Sequence, residues 1–235
     1  MAADGFLVAK RSNNRDFVWY HGPSIKERIE NFAPIVREID NNYVRFIIYE
    51  KNFVDSMFHG KLISGKINVG TELVLMPNSI ICTVEQCFED GCEVLTATSG
   101  SFVSIRIRNI NFNVFDDGIF CFSTALRCTT ANTFRAKVKF FGRTDSLRER
   151  HLFTLHYQSK TFPAEIRRII SRVNKFTGVE SDAAFMKCDN GFEYIITIAT
   201  TVQICFYSNE DFAILRRVLL VSNGTAFGTG IIINP

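Results

Sequence analysis

The fold class is decided by residues 133–141, which read Thr-Phe-Arg-Ala-Lys-Val-Lys-Phe-Phe. From Phe134 to Phe140, apolar and basic residues alternate without interruption. Successive side chains of a β-strand point to opposite faces, so strict alternation is typical of a strand with one face in the core and one in water. The stretch therefore predicts a half-buried strand and an all-β chain.

Downstream of this strand, one segment has a different period. Ile166, Ile169 and Ile170 are spaced as on a helix, and Pro163 would suit the first helical position. Periodicity alone therefore predicts a helix over 163–175. The other apolar runs predict strands at 152–158, 193–199, 202–207, 215–221 and 226–233.

Upstream, strand patterns recur about every ten residues, which is typical of a closed barrel or a sandwich. This first series ends near Cys128. A capping-box pattern at Ser24 and Glu27 predicts a short helix from Ser24 to Phe32, stopped before Pro34. The strands are predicted at 44–49, at 58–67 with a turn at Gly65, at 71–76 before Pro77, at 81–88 and at 102–107.

Composition excludes several classes of protein. Hydrophobic residues make up 46% of the 235 residues and charged residues 22%, which excludes a disordered chain. A net charge of +3 is too mild to indicate nucleic-acid binding by itself. Seven cysteines without a C-x-x-C pair predict buried free thiols in a reducing compartment. Without a secretory signal or a membrane-spanning run, we expect a cytoplasmic protein with no membrane partner.

Motifs for catalysis are missing from the sequence. No G-x-x-x-x-G-K-[ST] loop occurs, so we predict no catalytic residues, metal ligands or cofactor in this chain. Asn174-Lys175-Phe176-Thr177 ends in Thr where a guanine-binding motif has Asp, and it is interpreted as a turn. Seven basic residues could share one face and contact RNA or an acidic partner, or form an ordinary solvated face. They are Arg143, Arg148, Arg150, Arg167, Arg168, Arg172 and Lys175.

Several motifs in order resemble those of one family. Trp19-Tyr20-His21-Gly22-Pro23 resembles the W-Y-x-G-P hinge of eukaryotic elongation factor one-alpha, the class-II release factor and their ribosome-rescue relative. Residues 60–70, Gly-Lys-Leu-Ile-Ser-Gly-Lys-Ile-Asn-Val-Gly, resemble a motif in the first of their two barrels. Phe134-Arg135-Ala136 and the segment from Asp211 to Gly230 resemble the second barrel. Leu155-His156-Tyr157-Gln158, Pro163-Ala164-Glu165-Ile166 and Asn174-Lys175-Phe176-Thr177-Gly178 look most like the HBS-type ribosome-rescue factor, the GTPase-like partner of Pelota.

The resemblance implies an all-β fold of two consecutive barrels, the domain II and domain III type of translational GTPases, after a short N-terminal helix. It implies an extended strand that can carry a bulge at 163–175, in place of the helix. The implied domains are a lead-in at 1–35, a first barrel at 36–129 and a second at 130–235. Gly5 to Lys10 resemble the end of a GTPase domain, so the chain is expected to start where that domain closes, as a fragment or a natural short form. The family's G-R-F-x-L-R segment is altered at Arg216, Val218 and Val221.

The function implied is a non-catalytic binding module of ribosome rescue and no-go mRNA decay. It would bind Pelota through Phe212, Leu215, Arg217 and Leu219, and the RNA of the small ribosomal subunit through Lys61 and Lys66. GTP and Mg would be bound only by a separate GTPase domain. The alternatives are an exosome-bridging adaptor that contacts the exosome or Ski complex, the C-terminal part of the class-II termination factor, and an enzyme with an active site assembled between the barrels.

Overall fold

The computed structural model describes residues 22–32, 43–52, 54–108, 120–124, 128–141, 149–182, 191–206 and 210–234. Residues 1–38 and 39–235 form two compact units. In the first, helix α1 spans Ile25–Glu30 behind the N-cap Ser24. The Ser24 hydroxyl accepts the Glu27 N–H at 3.2 Å, and the Glu27 carboxylate accepts the Ser24 N–H at 2.7 Å. The predicted capping box is confirmed, and the helix ends two residues before Phe32. No helix in the described part of the chain could cross a membrane.

The first series of strands closes into a six-stranded antiparallel barrel. Its order is β4-β9-β1-β2-β8-β5, and β4 also pairs with β5, which closes the ring. Strand β6 extends β5, while β3 and β7 form a separate two-stranded sheet. The bounds are β1 Arg45–Asn52, β2 Met57–Ser64, β3 Lys66–Asn68, β4 Glu72–Met76, β5 Ile80–Glu89, β6 Cys92–Val94, β7 Thr96–Thr98, β8 Phe102–Arg108 and β9 Phe120–Ser123.

The second series closes in the same way. Its order is β11-β15-β16-β10-β14-β12, and β11 also pairs with β12. Strand β13 extends β12. The two barrels confirm the predicted fold class. The bounds are β10 Thr129–Phe140, β11 Leu152–Tyr157, β12 Lys160–Asn174, β13 Glu180–Asp182, β14 Phe192–Phe206, a 3-10 helix Glu210–Arg216, β15 Arg217–Ser222 and β16 Thr225–Asn234.

The barrels pack against each other within residues 39–235. Ile47, Met76 and Phe122 of the first barrel are buried in the same cluster as the core of the second. The Ser159 hydroxyl, in the β11–β12 turn, donates to the Ile48 carbonyl at 2.6 Å. The two barrels therefore share apolar burial, and the domain division at residues 129 and 130 stays a prediction.

Strand β12 explains the helical spacing seen in the sequence. Its pairing with β14 shifts register between Ile166 and Arg168 and again between Ile169 and Ser171. Each shift is a bulge that adds one residue to β12. Across a bulge, residues that face the same side of the strand are therefore three positions apart instead of two. The expected extended strand is confirmed, and it carries two bulges. The strands expected at 193–199 and 202–207 are confirmed as far as Phe206, but they form the single strand β14, whose pairing with β10 is irregular between Ala199 and Ile204.

The cysteines differ in accessibility. Cys82, Cys87 and Cys205 are buried, as predicted, whereas Cys92 is exposed and Cys128 is half-buried. Burial raises the pKa of the Cys87 thiol to about 11, and the nearby Glu89 carboxylate adds to the shift. The Cys87 thiol therefore stays protonated at neutral pH.

Native alkylation is expected to modify Cys92 and spare Cys87. A thiol that is both buried and protonated offers almost no thiolate for attack, so we expect Cys87 to react roughly a hundredfold more slowly than Cys92. Iodoacetamide labelling near neutral pH, read by peptide mass spectrometry, measures both rates in one sample. The same labelling in urea is the control, because both thiols then become accessible. Equal native rates would contradict the burial of Cys87.

Candidate partner and RNA interfaces

The predicted partner segment lies where the 3-10 helix meets β15. Arg217 begins β15 and is exposed, Leu219 is half-buried, and Leu215 is completely buried. Phe212 lies in the 3-10 helix, and its side chain is outside the described part of the structure. Of the predicted partner residues, Arg217 and Leu219 are therefore accessible at the surface, whereas Leu215 is not.

Two hydrogen bonds fix the 3-10 helix to the end of β11. The buried Tyr157 hydroxyl donates to the Leu215 carbonyl at 2.6 Å. The Gln158 side-chain amide donates to the Ile214 carbonyl at 2.8 Å. Burial raises the pKa of Tyr157 well above its ordinary value, so its hydroxyl remains a donor. The position of Arg217 is thus set by a hydrogen-bonded segment.

The three departures from the family motif differ in burial, and Val221, which stands where the motif has its second Arg, is half-buried in β15. Val218 stands where the motif has Phe, and it is buried between the outward-facing Arg217 and Leu219. Arg216, in place of the motif's Gly, is half-buried. The replacement at Val218 therefore alters core packing and leaves the outer face of β15 with its Arg and Leu.

Lys61 and Lys66 lie in different sheets of the first barrel. Lys61 is in β2, opposite Phe102 of β8, and its ammonium lies 5.3 Å from the centre of the Phe102 ring. Phe102 is 63% exposed and lies 6.2 Å from the Tyr49 ring. Cation and aromatic faces together suit phosphate and base contacts with RNA. Lys66 is exposed in β3, directly after Gly65, whose φ of 81° makes the predicted turn.

The seven basic residues noted in the sequence do not form one face. Arg143 and Arg148 lie outside the described residues. Arg168 pairs with the outward-facing Thr197, whereas Arg172 pairs with Tyr194, whose side chain is buried. The two cations therefore lie on opposite sides of β12. The Arg172 guanidinium is 4.6 Å from the centre of the Phe192 ring, and Arg167 is 3.5 Å from the Glu165 carboxylate.

Asn174-Lys175-Phe176-Thr177 forms a turn, as predicted. The Asn174 side-chain oxygen accepts the N–H of Phe176 at 2.8 Å and of Thr177 at 3.1 Å. The Gly178 N–H donates to the Asn174 carbonyl at 2.8 Å. In this Asx turn the Asn174 side-chain oxygen bonds to the backbone of its own turn.

The described residues contain little that resembles an active site. A groove of about 360 Å³ opens on the second barrel, and its ionisable side chains, Glu165 and Arg167, pair with each other. Within the described ranges, no three His, Cys, Asp or Glu residues could hold a metal ion. The absence of catalytic residues, cofactor and metal stays a prediction.

Comparison with known proteins identifies the class of proteins that share this fold. Residues 133–233 match the family described as GTP-eEF1A C-terminal domain-like. The solved structure of sup35 complexed with GMPPNP superposes with a TM-score of 0.74 at 20% identity, covering 97% of this chain and 56% of that one. Translation elongation factor SelB from Methanococcus maripaludis superposes with a TM-score of 0.66 at 17% identity, covering 89% and 46%. The chain has the two-barrel fold of translational GTPases.

Relatives of known function that resemble nearly the whole chain are translation factors. The eukaryotic peptide chain release factor GTP-binding subunit of Ogataea pini is 24% identical over 96% of this chain and 31% of its own length. Elongation factor 1-alpha of Metallosphaera sedula is 23% identical over 97% of this chain and 52% of its own length. The chain thus spans about a third of the release factors and half of the elongation factor. It corresponds to the C-terminal barrel half of a translational GTPase, and it is similar to that part of release-factor subunits and of elongation factor 1-alpha.

Proposed function

We propose that this chain is the binding module of an HBS-type ribosome-rescue factor in the cytoplasm. It docks Pelota through the outer face of β15 and the small ribosomal subunit through the first barrel. The observation that carries the proposal is the rigid presentation of Arg217 and Leu219 beside a hydrogen-bonded 3-10 helix. Arg is enriched at the centres of protein interfaces, and an exposed Arg in a fixed frame loses little side-chain freedom on binding.

In this proposal the chain acts by binding partners through complementary surfaces, and it catalyses no reaction itself. The sequence has no phosphate-binding loop, so GTP and Mg would act through a separate domain. Lys61 and Lys66 supply phosphate contacts, and Phe102 offers a ring to a base. A contact of this kind weakens as salt rises, because phosphate binding releases counterions.

A second candidate is the C-terminal part of the class-II termination factor. The observation that favours it is the 24% identity to release-factor subunits over nearly the whole chain. The turn at 174–178 and the segment at 155–158 favour the rescue factor instead, on sequence resemblance. An exosome-bridging adaptor would use the same barrels with the exosome or Ski complex as partner.

Calorimetry with the purified chain separates these candidates. It is titrated with Pelota and, in parallel, with the class-II release factor's own partner. We expect binding to Pelota alone, and Arg217→Ala to weaken it about tenfold or more. Arg108→Ala, which removes an exposed Arg of the first barrel that pairs with Glu85, is the matched control and should leave the affinity unchanged. Binding only to the termination partner would replace the first candidate by the second.

The ribosomal contact is tested separately with the double variant Lys61→Ala and Lys66→Ala. We expect weaker binding to purified small subunits and a shallower dependence of affinity on salt, by about one unit of slope for each phosphate that the variant no longer neutralises. Arg108→Ala again controls for the loss of a surface cation. An unchanged affinity and slope would remove these two lysines from the interface.

A further inference from the structure

A basic surface crosses five neighbouring strands of the second barrel. Along β10, the exposed Arg135, Lys137 and Lys139 alternate with residues that fill the core. Alternate residues of a strand are about 7 Å apart, so the three cations form a regular row. The strands on both sides extend this row into a face.

The register of the sheet fixes which side chains join the row. Arg135 lies opposite Thr197 of β14, and Thr197 lies opposite Arg168 of β12. On the other side, Ile231 of β16 lies opposite both Lys137 and Arg217. Partners in an antiparallel pair project to the same side of a sheet. We call the set Arg135, Lys137, Lys139, Arg168 and Arg217 the basic face.

Acidic residues do little to neutralise the basic face. Glu165 and Glu193 are the only acidic residues in β10, β12, β14, β15 and β16. Glu193 lies 2.8 Å from the Lys137 ammonium, and Glu165 pairs with Arg167, which is outside the set. The basic face therefore carries an excess of positive charge although the chain as a whole is only +3.

Aliphatic side chains lie between the cations. Ile195 and Ile231 lie on either side of Lys137, and Leu219 lies opposite Thr229 beside Lys139. All three aliphatic residues are half-buried and so keep apolar surface in contact with water. A partner with apolar side chains would gain by covering this surface, whereas a sugar-phosphate backbone has none to offer.

We propose that the basic face binds an extended acidic polypeptide segment in which carboxylate and apolar side chains alternate along the side that faces the sheet, that is, at every second residue. Side chains two apart in an extended peptide repeat every 7 Å or so, which matches the row on β10. The carboxylates at positions i and i+4 pair with Arg135 and Lys139. The apolar residue at i+2 covers Ile195 and Ile231, which lie on either side of Lys137. Arg217 and Leu219 belong both to this surface and to the segment proposed to contact Pelota, so the test changes only Arg135 and Lys139 of β10, which lie outside that segment.

The test uses the whole chain and a short fluorescent peptide that repeats Glu-Ser-Leu-Ser, so that Glu and Leu alternate along one side of the extended chain; binding is followed by anisotropy. We expect saturable binding that weakens with salt, and at least a tenfold loss in the double variant Arg135→Glu and Lys139→Glu. Lys26→Glu, at an exposed cation of α1, is the matched control and should bind normally. Unfolding curves that overlay show that the variants are folded, since both β10 side chains point away from the core.

Two further probes define the partner class. The same peptide with Gln in place of Glu is expected to lose most of its binding, and Ile195→Ser is expected to weaken the acidic peptide but not oligouridine RNA. The proposal is overturned if the acidic peptide does not bind, or if charge reversal leaves its affinity unchanged. Tighter binding of oligouridine through Arg135 and Lys139, unaffected by Ile195→Ser, would assign the basic face to nucleic acid instead.

Discussion

Replacing Gly60 with alanine is expected to unfold the first barrel. Gly60 lies in β2 between Ile48 of β1 and Val103 of β8. A Cβ atom at this position would lie 1.9 Å from the Ile47 carbonyl oxygen and 2.8 Å from the Phe46 ring. The oxygen belongs to a backbone held in the sheet, so the added methyl group forces β1 and β2 apart. We expect a loss of about 4 kcal/mol or more in the free energy of unfolding.

Urea denaturation followed by far-UV circular dichroism measures this loss. Gly91→Ala is the control, since a Cβ atom there meets no neighbour and the only penalty is its φ of 79°. A non-glycine residue in that conformation costs about 1–2 kcal/mol. The comparison separates steric exclusion at Gly60 from backbone strain at Gly91. A Gly60→Ala protein with the denaturation midpoint of the parent would contradict the close approach of β1 and β2.

Leu215→Ala is expected to destabilise the second barrel by about 2–5 kcal/mol, because it leaves a cavity beneath the 3-10 helix. Leu215 is fully buried, in one apolar cluster with Leu155 and Leu220. Weaker partner binding would follow only through loss of the fold. Unfolding curves for the variant measure the effect directly.

Leu219→Ala is the control matched to Leu215→Ala, because it makes the same substitution at the third residue of β15. Its side chain is half-buried on the outer face, so we expect a smaller loss of stability and a larger direct effect on a bound partner. Tyr157→Phe tests the hydrogen bond to the Leu215 carbonyl and should cost about 1–3 kcal/mol, because that carbonyl would be left unpaired. If Leu215→Ala kept full stability and lost only binding, Leu215 would be an interface residue after all.

Several elements could be predicted from the sequence because their causes are local. The alternation at 133–141 depends only on which side chains favour water, and it predicts β10 correctly. The capping box at Ser24 and the turn at Asn174 are formed by side chains bonding to their own backbone neighbours. The motif glycine at Gly65 is expected to allow a turn, and it has a positive φ.

Other features of β12 and β14 could not be predicted from local pattern. The bulges in β12 turn a strand's alternation into helical spacing, and only the resemblance to a family indicates the right structure. The strand β14 continues through the gap expected after residue 199, because β10 pairs with it as far as Ala199 and again from Ile204. Neighbours in the sheet stabilise a strand more than its own propensity does.

The sequence by itself determined the all-β class, the inward and outward alternation of the main strands, and the resemblance to the two-barrel half of translational GTPases. The tertiary structure alone decided which strands are neighbours, because pairing across long stretches of chain leaves no mark in a local period. That pairing closes both barrels, forms the core in which the Leu215 side chain of the 3-10 helix is buried, and separates Arg168 from Arg172. It also brings the cations of β10, β12 and β15 onto one face, where their charges act together. Within the sequence of each single strand, these cations have the pattern of ordinary solvent-exposed residues.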